Sequence, residues 1–302
     1  MTGLGQIVMD GVLSGAMIGL GAIGLTLTYA ILRFANFAQG EFITGGAYAA
    51  LVAAGALGGV LSGDTIGDLT FGWRLIAALP LAMVFSGALA VALDWLLFRR
   101  LRRGGTQIVL VIASFGASLA LRSVLEFWFG PQPVYYSHEI AMTVSVLPGM
   151  RATEDQLVVL ALAAGLMLAM HLLMTRTWLG RAMRATSENP DLARISGIDV
   201  ASVIRGAWFI GGALAAAAGV FLGVTVQVRP YMGFDLLLPL FAAAILGGIG
   251  SVPGALAGGM IIGITEALAV PLVGAQYRAA VAFLVLLAAL LVRPTGLFGA
   301  RV

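Results

Sequence analysis

Along most of this chain, stretches of about 20 residues pass with almost no charge, the length a helix needs to cross roughly 30 Å of hydrocarbon. A bilayer core holds no water to satisfy a free backbone N–H or C=O, so such stretches are confined to helices. The windows run 7–31, 41–61, 74–98, 107–129, 156–175, 204–227, 235–250, 253–271 and 277–292. The window at 235–250 is short and interrupted by Pro239, which makes it full-length, re-entrant or broken, and the count eight to ten. Only 10% of the residues are charged, against about 25% in a soluble domain. The expected fold is therefore all-α, a polytopic transmembrane helical bundle forming one domain over 1–302. No soluble domain is expected before or after it, and the N-terminus reads as a first span rather than a cleaved signal.

Every Lys/Arg position is arginine, and the arginines are clustered. Arg99, Arg100, Arg102 and Arg103 follow the third window, five more lie in 176–205, and Arg293 and Arg301 follow the last. Positive charge marks the cytoplasmic side, and even numbers of spans separate the clusters. One topology thus serves all three: N-terminus outside, C-terminus inside, and Asp64 and Asp68 in an outer loop. Charge placed this way reads as topology, not as a nucleic-acid footprint. Glycines repeat every four residues (Gly11, Gly15, Gly19; Gly211, Ala215, Gly219, Gly223; Gly254, Gly258), as helix-packing stripes do; a moving translocation interface is the other reading. A short internal similarity, Gly40-Glu41-Phe42 with Tyr48 against Gly233-Phe234-Asp235 with Phe241, keeps an offset of 193 residues, as an internal repeat would.

Three groups of polar residues call for a role. The first is Arg33-Phe34-Ala35-Asn36-Phe37-Ala38-Gln39-Gly40-Glu41, which the topology places on the cytoplasmic side as a turn between spans or as part of a translocation pathway through Asn36, Gln39 and Glu41. The second is the set of ionisable residues within windows, which are functional candidates by default. Asp94 is expected to pair with the arginines after it. Arg122 and Glu126, four apart, read as an interfacial ion pair or a substrate contact, and His171 as interfacial in preference to a proton relay. Glu266 either lines the pore or faces the outer vestibule. These leave the bilayer midplane nearly free of charge, which argues against an ion-coupled carrier.

The third group is 176–205, the longest run that lipid would not accept. Asn189-Pro190 and Gly197 bracket a short helix at Pro190–Ser196, capped by Ser187 or Asn189, with proline at its start and glycine past its end. Such a structured basic loop is a topological anchor or a contact surface for a soluble partner. The sequence has no cysteine, no P-loop and no H-E-x-x-H or G-x-S-x-G motif. His138 and His171 alone do not make a zinc site. Catalysis by this chain is not expected, and any ATP chemistry belongs to another chain.

These motifs resemble the permease subunits of ABC importers for branched-chain amino acids, LivH type, over nearly the whole chain. The resemblance is carried by Gly21–Arg33; by Asn36-Phe37-Ala38-Gln39-Gly40-Glu41 with Gly46-Ala47-Tyr48; by Gly180-Arg181-Ala182-Met183-Arg184-Ala185 with Asn189-Pro190, Ala193 and Gly197-Ile198; and by Leu246–Ala255 with Gly258-Gly259 and Glu266. Gln39 stands where the family often has histidine, a departure that weakens any claim for a titrating side chain there. The resemblance implies a heterodimer with a LivM-type permease, two ATPase subunits that hold ATP and Mg, and a periplasmic binding protein, all at the bacterial inner membrane. It implies no cofactor on this chain. It also implies that 176–205 is the coupling segment, with Arg181, Arg184, Glu188, Asn189, Pro190, Asp191, Arg194 and Gly197 toward the ATPase and its short helix tilting spans five and six. Branched-chain or other amino acids are the implied cargo, urea or short amides the alternative. From a different class, the competing readings are an ion-coupled secondary amino acid carrier and a membrane scaffold with no conducting path.

Overall fold

The computed structural model describes residues 3–59, 69–102, 104, 106–137, 143–147, 150–293 and 296–298. Asp64, Asp68, Arg103, His138, Glu139, Pro148 and Arg301 lie outside the described residues. In chain order the helices are α1 (Leu4–Leu32), α2 (Gln39–Ala56) and α3 (Trp73–Leu93), which continues through a π-helical turn at Asp94–Phe98 into α4 (Arg99–Leu101). There follow α5 (Gln107–Phe129), a hairpin of β1 (Thr143–Leu147) and β2 (Met150–Thr153), α6 (Glu154–Arg176), α7 (Trp178–Glu188) and α8 (Pro190–Ile195). The chain closes with α9 (Val200–Thr225), α10 (Met232–Gly247), α11 (Val252–Val273) and α12 (Arg278–Val292). Among the described residues seven helices are long and apolar enough to span a membrane. Two more, α2 with Gln39 and Glu41 at its start and α10 with 16 residues, fall short of that measure. Among the described residues the bundle is all-α apart from an isolated bridge between Val134 and Val228 and the antiparallel hairpin, which forms in the polar stretch before α6 where the chain is not confined to helix.

The windows have different environments. α1 and α9 are 78% buried over their most apolar stretch, against 28% for α5. α1 and α9 are therefore the central pair, and α3, α5, α6, α11 and α12 form an outer shell that exposes large apolar side chains such as Phe127, Leu168, Leu272 and Leu291. The glycine stripes face neighbouring helices: a Cβ on Gly11, Gly15 or Gly19 would meet α11 at Ile264, Met260 and Leu256 in turn. That order makes α1 and α11 antiparallel.

The repeat read at an offset of 193 is three-dimensional. Gly40 and Gly233, equivalent in sequence, face each other backbone to backbone: a Cβ on Gly40 would lie 2.7 Å from the Gly233 carbonyl oxygen, and one on Gly233 would overlap the Gly40 carbonyl. α1 and α9 likewise cross at Gly24 and Gly211, with Thr225 against Met17 further along, so they run antiparallel. α1 packs on α11 as α9 packs on α3, and α2 on α3 as α10 on α11. The chain is an inverted repeat, an arrangement common in membrane transporters.

Alanine at Gly233 is expected to destabilise the protein by about 1–3 kcal/mol or more, because the added methyl meets backbone that has no room to yield. Gly116→Ala, on α5 with nothing within 4 Å of its added Cβ, is expected to be neutral or slightly stabilising. Thermal denaturation of the two variants in detergent checks the contrast.

Candidate functional site

The stretch Asn36–Glu41 is not a surface turn. Asn36, Gln39 and Glu41 are 0–1% exposed. α1 ends at Leu32 with Arg33 in the left-handed region at φ 55°, and the chain then stays inside the bundle. Asn36 Oδ1 accepts from the Ala38 N–H (3.1 Å), which turns the chain into α2. The Phe37 N–H donates to Ser114 Oγ (3.1 Å), and Gln39 Nε2 donates to the Gly211 carbonyl (3.3 Å) at the α1–α9 crossing. Ser86 Oγ donates to the Phe42 carbonyl (3.0 Å). Ser86 and Ser118 lie near the middle of their helices, and Ser118 is about 17 Å from either end of α5. Glu41 is therefore held at the mid-depth of the bundle.

Glu41 Oε1 accepts from Arg122 Nη2 (2.7 Å), Arg122 Nε (3.2 Å) and Ser118 Oγ (3.1 Å). The Arg122 guanidinium also lies over the rings of Phe234 (4.3 Å) and Tyr231 (5.0 Å) at the start of α10. This corrects two expectations. Arg122 is not an interfacial partner of Glu126: it is 6% exposed and bonded to Glu41. Nor is the midplane nearly free of charge, because a buried ion pair lies at that depth. Its partners were missed because Glu41 and Arg122 are 81 residues apart. The readable signal was the stripe Ser114, Ser118, Arg122, Glu126, polar every fourth residue on one face of an otherwise apolar helix. Asp94 behaves as expected, pairing with Arg102 at 2.7 Å, and His171 is exposed on α6.

Glu266 lies far from this pair. It is 5% exposed, and its Oε1 has no hydrogen-bond partner. It lines a cavity of about 740 Å³ bounded by the first half of α1, the end of α9, the starts of α10 and α12, and α11. α8 adjoins the other end of α9.

The segment 176–205 is more ordered than one short helix in a loop. α6 runs to Arg176, α7 occupies Trp178–Glu188, and α9 begins at Val200. α7 is amphipathic, which accounts for its stability: Gly180, Ala182, Met183 and Thr186 are buried, and Gly180 sits against the Leu173 and Met174 carbonyls. Arg184 Nη1 donates to the Met174 carbonyl (2.6 Å), so Arg184 fastens α7 to the end of α6 in addition to any outward contact. Asn189, not Ser187, caps α8: its Oδ1 accepts from the Asp191 and Leu192 N–H groups at 3.1 and 3.0 Å. Pro190 opens the helix, which ends at Ile195, one residue before the expected Ser196. Gly197 at φ 84° completes the stop, with Ile198 N–H donating to the Ala193 carbonyl and Gly197 N–H to that of Arg194, the αL-terminated pattern that favours glycine. Arg181, Glu188, Asn189, Pro190, Asp191, Arg194 and Gly197 are all exposed. Asp191 and Arg194 form a loose, solvent-facing pair at 3.4 Å. At the next cap, Asp199 Oδ2 accepts from Ser202 Oγ (2.6 Å), and that hydrogen bond holds its carboxyl below the usual range.

Sequence reasoning passed over the two residues that most distinguish α8. Leu192 is 60% and Ile195 84% exposed. They lie three apart on a helix whose other exposed residues are Pro190, Asp191 and Arg194. Apolar side chains at i and i+3 in a basic loop were the available signal.

The chain matches a family model described as branched-chain amino acid transport system / permease component over residues 7–290. It is 34% identical over 301 residues to the high-affinity branched-chain amino acid transport system permease protein LivH of Escherichia coli K12, covering 97% of this chain and 95% of that one. It is 32% identical over 299 residues, with the same coverage, to the BraD permease protein of Pseudomonas aeruginosa. It is 30% identical over 294 residues, 92% of this chain and 87% of the relative, to the probable LivH of Methanocaldococcus jannaschii. Among solved structures, PsaBC from Streptococcus pneumoniae in complex with Fab aligns with 12% identity and a TM-score of 0.48 over 95% of this chain and 91% of that one, a likeness too slight to argue from. With near-complete coverage by the family model and identities of 30% or more at full length, the chain belongs to the branched-chain amino acid transport system permease family.

Proposed function

We propose that this chain forms one half of the membrane pathway of an ATP-driven, binding-protein-dependent importer, and that power enters it through α8. The protein is a multi-pass permease of the bacterial inner membrane, of the kind that works with ATPase and binding-protein subunits. Beyond that, the partner permease is a LivM-type chain, ATP and Mg are held on two separate ATPase subunits, and this chain itself holds no cofactor and performs no catalysis. α8 faces the cytoplasm, the C-terminus lies on the same side, and the N-terminus lies outside. The cargo is a branched-chain amino acid, as the names of the relatives state for their own systems.

The observation that carries this reading is the presentation of α8. It is a capped, proline-started and glycine-stopped helix, joined through the α7 lever to α6 and directly to α9, with Leu192 and Ile195 turned outward. A floppy anchor would transmit no displacement, whereas a rigid two-helix lever rooted in two spans does. Asn189, Pro190, Asp191, Arg194 and Gly197 shape and frame this contact, Arg181 and Glu188 flank it, and Arg184 roots it. The buried carboxylates Glu266 and Glu41 are the observations on the side of the ion-coupled carrier, and Glu41 is the one at the mid-depth of the bundle. That carboxylate is neutralised by Arg122 within the chain, so binding a coupling ion there would require breaking a buried pair.

Vesicles holding this chain with its partner permease and ATPase subunits test the proposal directly. Leucine delivered by the binding protein is expected to accumulate when ATP is supplied on the ATPase side and not when a proton or sodium gradient is imposed without ATP. Gradient-driven uptake by the purified chain alone would establish the carrier instead.

A further inference from the structure

The two halves of the inverted repeat treat their buried acids differently. In the π-helical turn that continues α3, Asp94 is ion-paired with Arg102 at 2.7 Å and accepts one hydrogen bond from it at 3.0 Å. On α11, the counterpart of α3, Glu266 is 5% exposed and lines the 740 Å³ cavity, with its Oε1 enclosed and without a hydrogen-bond partner. A buried carboxylate without its full set of hydrogen bonds is costly to keep, so its place beside a cavity calls for a function. Arg278, from the start of α12, lines the same cavity and is near enough for its charge to act on Glu266. Arg229 is also on the wall, bonded to Asp235 at 3.0 Å, and Asp10 supplies the remaining charge from α1. Between these groups the wall is mixed: Leu13, Met17, Leu222 and Leu236 give it apolar surface, and Ser14, Gln156, Thr225, Gln227 and Gln276 polar surface.

We infer that this cavity is a binding site for a zwitterionic amino acid with an apolar side chain, the α-ammonium on Glu266, the α-carboxylate on Arg278 and the side chain against Leu13, Met17, Leu222 and Leu236. With Arg229 and Asp235 paired to each other, Glu266 and Arg278 at the same wall suit a molecule that carries both opposite charges, and an amine or a carboxylate alone leaves one of the two unused. The volume exceeds that of one such molecule, so the site holds its ligand with water and without tight enclosure, as a transit site must if the cargo is to leave again. Its position at the end of α9 remote from α8 makes it an entry vestibule. This inference rests on the amino acid cargo and on the sidedness proposed above.

The test uses the assembled transporter in vesicles and a diazirine analogue of leucine as photoreactive probe. After illumination, label is expected on peptides bearing Met17, Leu222 or Leu236, displaced by excess leucine but not by 3-methylbutylamine or 4-methylpentanoate, which each lack one charge. Glu266→Gln, of the same shape, is expected to reduce labelling about tenfold, the effect of losing one charged hydrogen bond, and Glu266→Asp is expected to retain most of it. The amount of each variant in the membrane is measured alongside. Label confined to other segments, equal labelling of the Gln variant, or displacement by either single-charge analogue as effective as by leucine overturns the site. ATP-driven leucine uptake by the same vesicles is read separately: uptake with label elsewhere removes this site and leaves the importer reading standing, whereas gradient-driven uptake removes the importer reading.

Discussion

Alanine at Glu41 is expected to weaken the bundle by about 3–5 kcal/mol, the usual consequence of leaving one member of a buried ion pair alone. The Arg122 guanidinium would remain 6% exposed within α5, with the faces of Phe234 and Tyr231 and the neighbouring Glu126 carboxylate as poorer substitutes for the lost partner. Ordinary domains have about 5–15 kcal/mol in total, so the variant should insert and then denature at much lower temperature in detergent. Replacing both partners, Glu41→Gln with Arg122→Met, removes the stranded charge and is expected to recover more than half of the loss. A Glu41→Ala variant that denatures like the parent would show that the pair is not closed in the membrane. Because Arg122 also touches the start of α10, the same experiment reports on whether the two repeats are tied together at this point.

Removing the apolar side chains of α8 should act on a different quantity. Leu192→Ala with Ile195→Ala leaves every capping interaction of the helix in place: Asn189 Oδ1, Pro190 and Gly197 are untouched. Thermal stability is therefore expected to change by less than about 0.5 kcal/mol, as at other exposed positions. Burial of such a side chain at a partner surface is worth about 1.5–3 kcal/mol, so losing two should weaken ATPase association by about a hundredfold or more. Titration of the ATPase subunits onto the reconstituted permease measures this, and uptake should fall with it. Unchanged association would move the docking surface elsewhere on 176–205.

The architecture was legible where it depends on hydropathy alone. The nine windows correspond to nine helices, and the cap and stop of α8 could be read from Asn189, Pro190 and Gly197 because capping is local. The pairing of Asp94 with an arginine eight residues on was legible for the same reason. What could not be read was depth. Asn36–Glu41 looked like a cytoplasmic turn because its polar residues interrupt the apolar pattern, yet the chain folds that interruption into the centre, where Arg122, Ser114, Ser118 and the Gly211 carbonyl satisfy part of it. Those partners are 77 to 172 residues away in sequence, and no periodicity encodes them. The argument from an uncharged midplane accordingly fails, and the importer reading stands on the family and on α8 instead. The 193-residue offset was a faint signal for the opposite reason: a few residues sufficed to mark it, because glycine is required only where the two backbones cross.

The absence of cysteine from the sequence makes the central claim open to a direct measurement. Single cysteines placed at Leu192 and Ile195 of α8, and at Leu272 of α11 as an exposed control remote from α8, are treated with a short bifunctional maleimide in the assembled transporter. The account predicts covalent adducts between the ATPase subunit and the two α8 positions, with a yield that changes when ATP is bound, and none at the control. ATPase adducts that form efficiently from other cytoplasmic positions of this chain while Leu192 and Ile195 remain unlinked in every nucleotide state would contradict it.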